Sequence, residues 1–141
     1  MRRTPMACKN EREMLQIELY VSDLERTREL FTSVFEMEVI EEKRGWRHLR
    51  HAANYDIMLF EPAWNRHGES HWSSLPAPGT GGTGIEVVIC TRGVSGKLQA
   101  VRERGYDCTD LRYPPWGSTE FIFHLEEGYL MRIKQPPALA D

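Results

Sequence analysis

The fold prediction starts from residues 15–35, which read LQIELYVSDLERTRELFTSVF. Apolar and polar residues alternate from Leu15 to Val21, which is the period of a half-buried strand. Ser22 and Asp23 follow, and a side-chain oxygen there can accept a hydrogen bond from the first turn of a helix. The next apolar residues recur at spacings typical of one buried helix face: Leu24, Leu30, Phe31, Val34 and Phe35. The sequence therefore predicts a strand followed by a helix.

Three short strand-like runs come next, and the same order of elements then returns in the second half. The runs cover residues 37–42, 46–51 and 55–61, separated by turn-compatible residues. In the second half a strand is predicted over 84–90, a helix follows with Gly105 as its C-cap, and strands are predicted over 106–111, 119–124 and 129–134. Two βαβββ units in one chain form an internal repeat and predict an α+β fold.

The chain is expected to divide into two modules with polar segments around them. The repeat assigns residues 15–61 to the first module and residues 84–134 to the second. The remaining segments are a loose N-terminal tail over 1–14, an inter-module connection over 62–83 and a C-terminal tail over 135–141. The connection is rich in Gly, Pro and Ser but contains Trp64 and Trp72, which favours more than a spacer role.

Charge and cysteine content exclude several classes of function. Lys and Arg number 18 against 21 Asp and Glu, a net charge of −3, so neither a nucleic acid nor a membrane surface is expected as a partner. No apolar run approaches the length of a membrane span, and the N-terminus lacks the apolar core of a signal peptide. Three widely spaced cysteines predict no disulfide framework, so we expect a cytoplasmic location.

The motifs on this frame resemble those of the vicinal oxygen chelate superfamily. Residues 21–26, VSDLER, with Phe31, Thr32 and Phe35 resemble its opening module. Pro115-Trp116-Gly117, Glu120-Phe121 and Gly128-Tyr129 follow in the order of its second module, and the Pro-Trp-Gly and Glu-Phe segments are most similar to bleomycin resistance proteins. The match covers residues 15–136. The superfamily also includes glyoxalase I, fosfomycin resistance enzymes and extradiol dioxygenases.

The resemblance implies two curved sheets lining one cavity, in a homodimer, with a divalent metal in the catalytic members. That metal has four protein ligands and stabilises an oxyanion on the substrate by Lewis acidity. Carried onto this chain, the ligand positions fall on Gln16, Leu59, Glu86 and Arg132. Leu59 cannot coordinate a metal, and the guanidinium of Arg132 has no lone pair to offer. The resemblance with these departures predicts that the metal is absent.

One alternative keeps a metal with a rearranged ligand set. If the register of the fourth strand slides by two residues, Glu61 takes the place of Leu59, and Gln16, Glu61 and Glu86 become the candidate ligands. The chain would then be a metal-dependent lyase, isomerase or dioxygenase of the glyoxalase type. A further alternative needs no cofactor: Glu86 abstracts a proton and Arg132 stabilises the enolate.

The leading hypothesis is a metal-free protein that binds an antibiotic-like or other planar small molecule. If the two modules enclose one cavity, Arg132 and Glu86 can form a charge-assisted pair, which either fills a lost metal site or presents a cation to the ligand. The predicted ligand-binding residues are Gln16, Glu18, Trp46, His48, Glu86, Trp116 and Arg132. No catalytic residue is assigned. The sequence leaves open whether the modules close within one chain or between two subunits.

Overall fold

A computed structural model describes residues 15–52, 55–61 and 84–141 of the chain. The predicted N-terminal tail and the predicted connection over 62–83 lie outside these residues. Within them the elements are two βα units followed by antiparallel strands, in an α+β arrangement, as the sequence predicts.

The first module forms a four-stranded mixed sheet. Its elements are β1 (Ile17–Tyr20), α1 (Leu24–Ser33), β2 (Met37–Lys43), β3 (Trp46–His51) and β4 (Tyr55–Phe60). The strand order is β1-β4-β3-β2, with β1 parallel to β4 and the other neighbours antiparallel. Asp23 caps α1 as predicted, because its side chain accepts a hydrogen bond from the backbone N–H of Arg26 at 3.0 Å.

The second module forms a smaller mixed sheet. Its elements are β5 (Glu86–Cys90), α2 (Val94–Glu103), β6 (Thr119–His124) and β7 (Leu130–Gln135), followed by a 3₁₀ turn over Pro137–Leu139. The strand order is β5-β7-β6, with β5 parallel to β7 and β6 antiparallel to it. The backbone of Gly105 has φ +87° just past the end of α2, a conformation that suits the predicted helix stop.

The strand predicted over 106–111 was wrong. This segment pairs with β6 only through two isolated bridges, Cys108 with Phe123 and Arg112 with Glu120. The guanidinium of Arg102 donates to the backbone carbonyls of Cys108 and Thr109, at 3.3 and 3.2 Å, so those acceptors serve a side chain as well as a neighbouring strand. The acidic residues in the segment are also poor strand formers.

One hydrophobic core joins the two modules. Each helix packs on one face of its own sheet, α1 on β2–β4 and α2 on β6 and β7. The helix-covered faces of both sheets contribute to a single buried cluster, in which the rings of Phe35 and Phe123 stack with centroids 6.4 Å apart. The opposite face of each sheet therefore points away from this core. Burying one such aromatic ring stabilises the fold by about 1.5–3 kcal/mol.

Polar contacts between the modules lie at the helices and the strand ends. The guanidinium of Arg104 donates to Glu29 at 2.9 Å, and that of Arg26 lies 4.4 Å from the centre of the Tyr106 ring. The carboxylate of Glu127 accepts from the backbone N–H of Ser22 at 2.6 Å. Neither α-helix of the described chain, each of ten residues, is long or apolar enough to cross a bilayer.

Candidate functional site

The candidate site residues lie on the sheet faces opposite the helices, which we call the outer faces. Side chains of a strand alternate between faces, so the pairing register assigns each residue. The first outer face consists of Glu18, Tyr20, Glu38, Glu41, Lys43, Trp46, His48, Arg50, Asp56, Met58 and Phe60. The second consists of Glu86, Val88, Cys90, Glu120, Ile122, His124, Leu130, Arg132 and Lys134.

Arg132 is the centre of a charge network on the second outer face. Its Nε atom lies 2.5 Å from a carboxylate oxygen of Glu86, so the pair anticipated from the sequence is present. Its Nη1 atom lies 3.4 Å from Glu120 on the other side. One cation is thus held between two carboxylates from β5 and β6, and Arg132 itself comes from β7, the strand between them.

Glu120 is the member of this network that the sequence analysis missed. Its side chain is only 4% exposed, whereas that of Glu86 is 39% exposed. The Ser118 hydroxyl donates to it at 2.9 Å. Burial raises the pKa of Glu120, but the Ser118 hydroxyl, the charge of Arg132 and a hydrogen bond from Trp116 outweigh burial and hold that pKa below its usual range. The signal available was the period of β6, which places Glu120 on the same face as His124.

The first outer face carries a buried group of three polar side chains. The ring Nε2 of His48 lies 2.7 Å from Oδ2 of Asp56, and both side chains are fully buried. The guanidinium of Arg50 donates to both oxygens of Asp56, at 2.9 and 3.0 Å. Burial raises the pKa of Asp56, but these hydrogen bonds and charges from Arg50 and His48 outweigh burial and keep the pKa lowered. Asp56 is therefore an ionised acceptor at neutral pH.

Aromatic residues lie beside this group. The Trp46 ring lies 6.0 Å from that of His48 and 6.1 Å from that of Phe60, centre to centre. Trp46, Met58 and Phe60 form a separate small apolar cluster, and Trp46 is only 4% exposed. The sequence predicts ligand-binding roles for both Trp46 and Trp116. Trp46 is buried in the first outer face, whereas Trp116 is 64% exposed beside the second.

The residues at the implied metal position do not fit a divalent metal. Arg132 occupies one of the four implied ligand positions and has no lone pair for a metal. Its guanidinium is also paired with Glu86, so that carboxylate is already engaged. Leu59 is fully buried in the shared core, on the helix-covered side of β4, and Glu61 follows the end of that strand. No group of three or more His, Cys, Asp or Glu side chains that could hold a metal occurs within residues 15–52, 55–61 and 84–141.

The predicted ligand-binding residues fall on two separate surfaces of the chain. Glu18, with Gln16 just before β1, belongs with Trp46 and His48 to the first sheet. Glu86 and Arg132 belong to the second outer face, with Trp116 beside it. The strands of the first sheet pair only with one another, and so do those of the second, among the described residues. One chain therefore offers two half-sites, and the ligand-binding roles of these residues stay predictions.

Comparison with known proteins confirms the fold. No protein-family model and no curated protein sequence matches the chain. A glyoxalase-related enzyme from Fulvimarina pelagi matches with a TM-score of 0.71 and 12% identity over 89% of this chain and 88% of that one. TnmS3, an antibiotic-binding protein from Streptomyces sp. CB03234, matches with a TM-score of 0.63 and 16% identity over 94% of this chain and 99% of that one.

A third similar structure carries the superfamily name itself. It is a member of the glyoxalase/bleomycin resistance protein/dioxygenase superfamily from Sphaerobacter thermophilus, with a TM-score of 0.61 and 18% identity over 88% of this chain and 97% of that one. At these identities the likeness shows the fold alone. The fold is that of the glyoxalase and bleomycin resistance proteins, as the sequence motifs implied.

Proposed function

We propose that the protein binds a planar, antibiotic-like small molecule without a divalent metal. The observation that carries this proposal is the ion network in which Arg132 lies between Glu86 and Glu120. A divalent cation beside a fixed guanidinium would meet like charge, and both carboxylates that could bind it already contact that guanidinium. The guanidinium, 22% exposed, can instead donate hydrogen bonds to a carbonyl or an anionic group of a ligand.

The aromatic residues beside the network support a planar ligand. Trp116 and Tyr113 are 64% and 74% exposed on the segment that leads into β6. Large exposed aromatic rings near a charged anchor suit stacking against a flat molecule. The antibiotic-binding protein from Streptomyces, which shares the fold, is in keeping with such a ligand class.

We also propose that a second copy of the chain completes the cavity. One protomer would supply its first outer face and its partner the second, so that Gln16 and Glu18 meet Glu86 and Arg132 between subunits. The edge strands β1 and β5 favour this, because each has an open side with exposed apolar residues, including Ile17 at 41% and Val88 at 38%. Such edges are usually covered in a soluble protein. The homodimer is expected in the cytoplasm, since Cys90 and Cys108 are free thiols.

A ligand panel tests the proposal. Antibiotics that contain a planar aromatic part and a carboxylate or carbonyl group, including bleomycin with its flat bithiazole, are titrated against the protein while tryptophan fluorescence is followed. We expect at least one to bind in the micromolar range or tighter, and Arg132→Ala to weaken that binding about tenfold or more through loss of charged hydrogen bonds. Arg28→Ala on α1 is the matched control, since it removes one surface cation far from the second outer face. A full panel without binding contradicts the proposal.

Calorimetry with Zn²⁺, Ni²⁺ and Mn²⁺ tests the metal-free part separately. We expect no stoichiometric site. A sub-micromolar site that disappears in Gln16→Ala would instead support the metal-dependent alternative with Gln16, Glu61 and Glu86. The cofactor-free enzyme is the less favoured alternative, because the Glu86 carboxylate that would take the proton is already in contact with the Arg132 guanidinium.

A further inference from the structure

Two buried nitrogens on the first outer face have no hydrogen-bond partner among the described residues. One is Nδ1 of His48, whose side chain is 0% exposed, and the other is Nε1 of Trp46, which is 4% exposed. Their rings lie 6.0 Å apart, centre to centre, on alternate residues of β3. A buried polar group without a partner costs about 1–3 kcal/mol, so two neighbouring ones require an explanation.

The protonation state of His48 follows from its partners. Asp56 is ionised and can only accept, so the proton of the bond between them lies on Nε2 of His48. Arg50 already neutralises Asp56 with two hydrogen bonds. A neutral imidazole has one proton, so a proton on Nε2 leaves a lone pair on Nδ1. That Nδ1 has no hydrogen-bond partner among the described residues.

The two nitrogens are therefore of opposite kinds. Trp46 Nε1 is a donor and His48 Nδ1 is an acceptor. A single hydroxyl oxygen about 2.9 Å from each nitrogen would satisfy both, since it accepts from the indole and donates to the imidazole. Met58 and Phe60 beside them are apolar, whereas the Glu41 carboxylate lies opposite His48 and offers a second acceptor for the hydroxyl.

We propose that Trp46 and His48 together bind the hydroxyl group of a planar ligand, so that the site selects aromatic or enolic hydroxyl compounds over their ethers. This inference rests on the proposed function as a small-molecule-binding protein. Asp56 and Arg50 are positioning residues, because they act by fixing the tautomer of His48. His48 has no exposed surface, so the hydroxyl enters as the leading end of the ligand, displacing side chains that cover the ring.

A matched pair of probes tests this inference: 2-naphthol and 2-methoxynaphthalene, which differ only in the hydroxyl hydrogen and a methyl group. Binding to the full-length protein is followed by the indole N–H and histidine nitrogen NMR signals. We expect 2-naphthol to bind about tenfold more tightly than the ether and to shift the signals of Trp46 Nε1 and His48 Nδ1.

Two variants test whether the preference for 2-naphthol depends on the nitrogens of His48 and Trp46. His48→Gln keeps a donor for Asp56 but removes the Nδ1 acceptor, and Trp46→Phe keeps an aromatic ring but removes the N–H. Each should reduce the preference for 2-naphthol to near unity, whereas His51→Gln, on the helix-covered face of β3, should leave it unchanged. If His48→Gln does not fold, Trp46→Phe still decides the question.

Asp56→Asn adds a test of the tautomer. An asparagine N–H would donate to Nε2 and move the ring proton to Nδ1, which turns the acceptor into a donor and should abolish the preference.

Several outcomes would overturn the inference. These are equal binding of the two probes, a preference that survives in both His48→Gln and Trp46→Phe, a wild-type His48 with its proton on Nδ1, or a water that stays between the two nitrogens when 2-naphthol is bound. Equal binding would leave the proposed function intact and remove only the hydroxyl site. Failure of both probes to bind would also contradict the inference, while the antibiotic panel judges the proposed function separately.

Discussion

The two outer faces occupy equivalent places in the two modules, yet they handle polar groups in opposite ways. On the second, Arg132 is paired with Glu86 and Glu120 and remains 22% exposed. On the first, Asp56 and His48 are fully buried, and the ring nitrogens of His48 and Trp46 include two without partners among the described residues. One face has a partly exposed network of one cation and two carboxylates, and the other has a buried hydrogen-bonded group. Under the proposed function, we expect each face to contact a different part of the ligand.

The largest loss of unfolding free energy is expected when the fully buried Asp56 side chain is removed. Asp56→Ala would leave both His48 and Arg50 without their shared acceptor, and breaking such a buried pair costs about 3–5 kcal/mol of unfolding free energy. Urea denaturation measures the loss. Asp110→Ala is the control, since Asp110 also pairs with an arginine, Arg102, but is 95% exposed, and its loss should cost less than about 1 kcal/mol. Equal losses in the two variants would contradict the contrast between buried and exposed pairs.

A smaller effect is expected when the two carboxylates around Arg132 are compared. Glu120→Gln should cost about 1–3 kcal/mol of stability, because Glu120 is buried and also accepts from Ser118. Glu86→Gln should cost under about 1 kcal/mol, because Glu86 is 39% exposed. Thermal unfolding of both variants ranks them. The reverse order would show that Glu86, rather than Glu120, is the partner that stabilises Arg132.

Lowering the pH should reduce the stability that the carboxylates on both outer faces contribute to the fold. The pKa values of Asp56 and Glu120 lie below their ordinary values of 3.8 and 4.5 in the folded protein. A lowered carboxyl pKa stabilises the fold above the ordinary value, and this contribution is lost as pH falls through the folded-state value. The unfolding free energy should therefore decline below these ordinary values, with a shallower decline in Asp56→Asn and in Glu120→Gln. Parallel slopes in the wild type and both variants would contradict the lowered pKa values.

Much of the fold could be predicted from the sequence because local patterns determine it. The bounds of β3 and β6 agree with the prediction, and Asp23 caps α1 as its position before an apolar helix face indicated. The segment over 106–111 failed because its apolar content suggested a strand, whereas its acidic residues and the hydrogen bonds from Arg102 depend on neighbours that periodicity does not describe.

The candidate site could be predicted only in part. The resemblance assigned two of the implied metal-ligand positions to Arg132 and Glu86, and it allowed a charge-assisted pair between them, which the structure contains. Asp56 was missed, although a carboxylate inside the apolar run of β4 already required a buried partner. That this partner is His48 depends on the register between β3 and β4, which one sequence does not fix. The contact between Glu120 and Arg132 likewise depends on the register between β6 and β7, in which the two residues are offset by two positions.

Anomalous diffraction from crystals soaked with Zn²⁺ tests the central claim most directly, since it shows where a divalent ion settles. The account predicts no peak at bonding distance from Glu86, and a guanidinium of Arg132 still in contact with that carboxylate. A peak coordinated by Glu86 together with Gln16 of either subunit, with Arg132 turned away, would contradict the metal-free account.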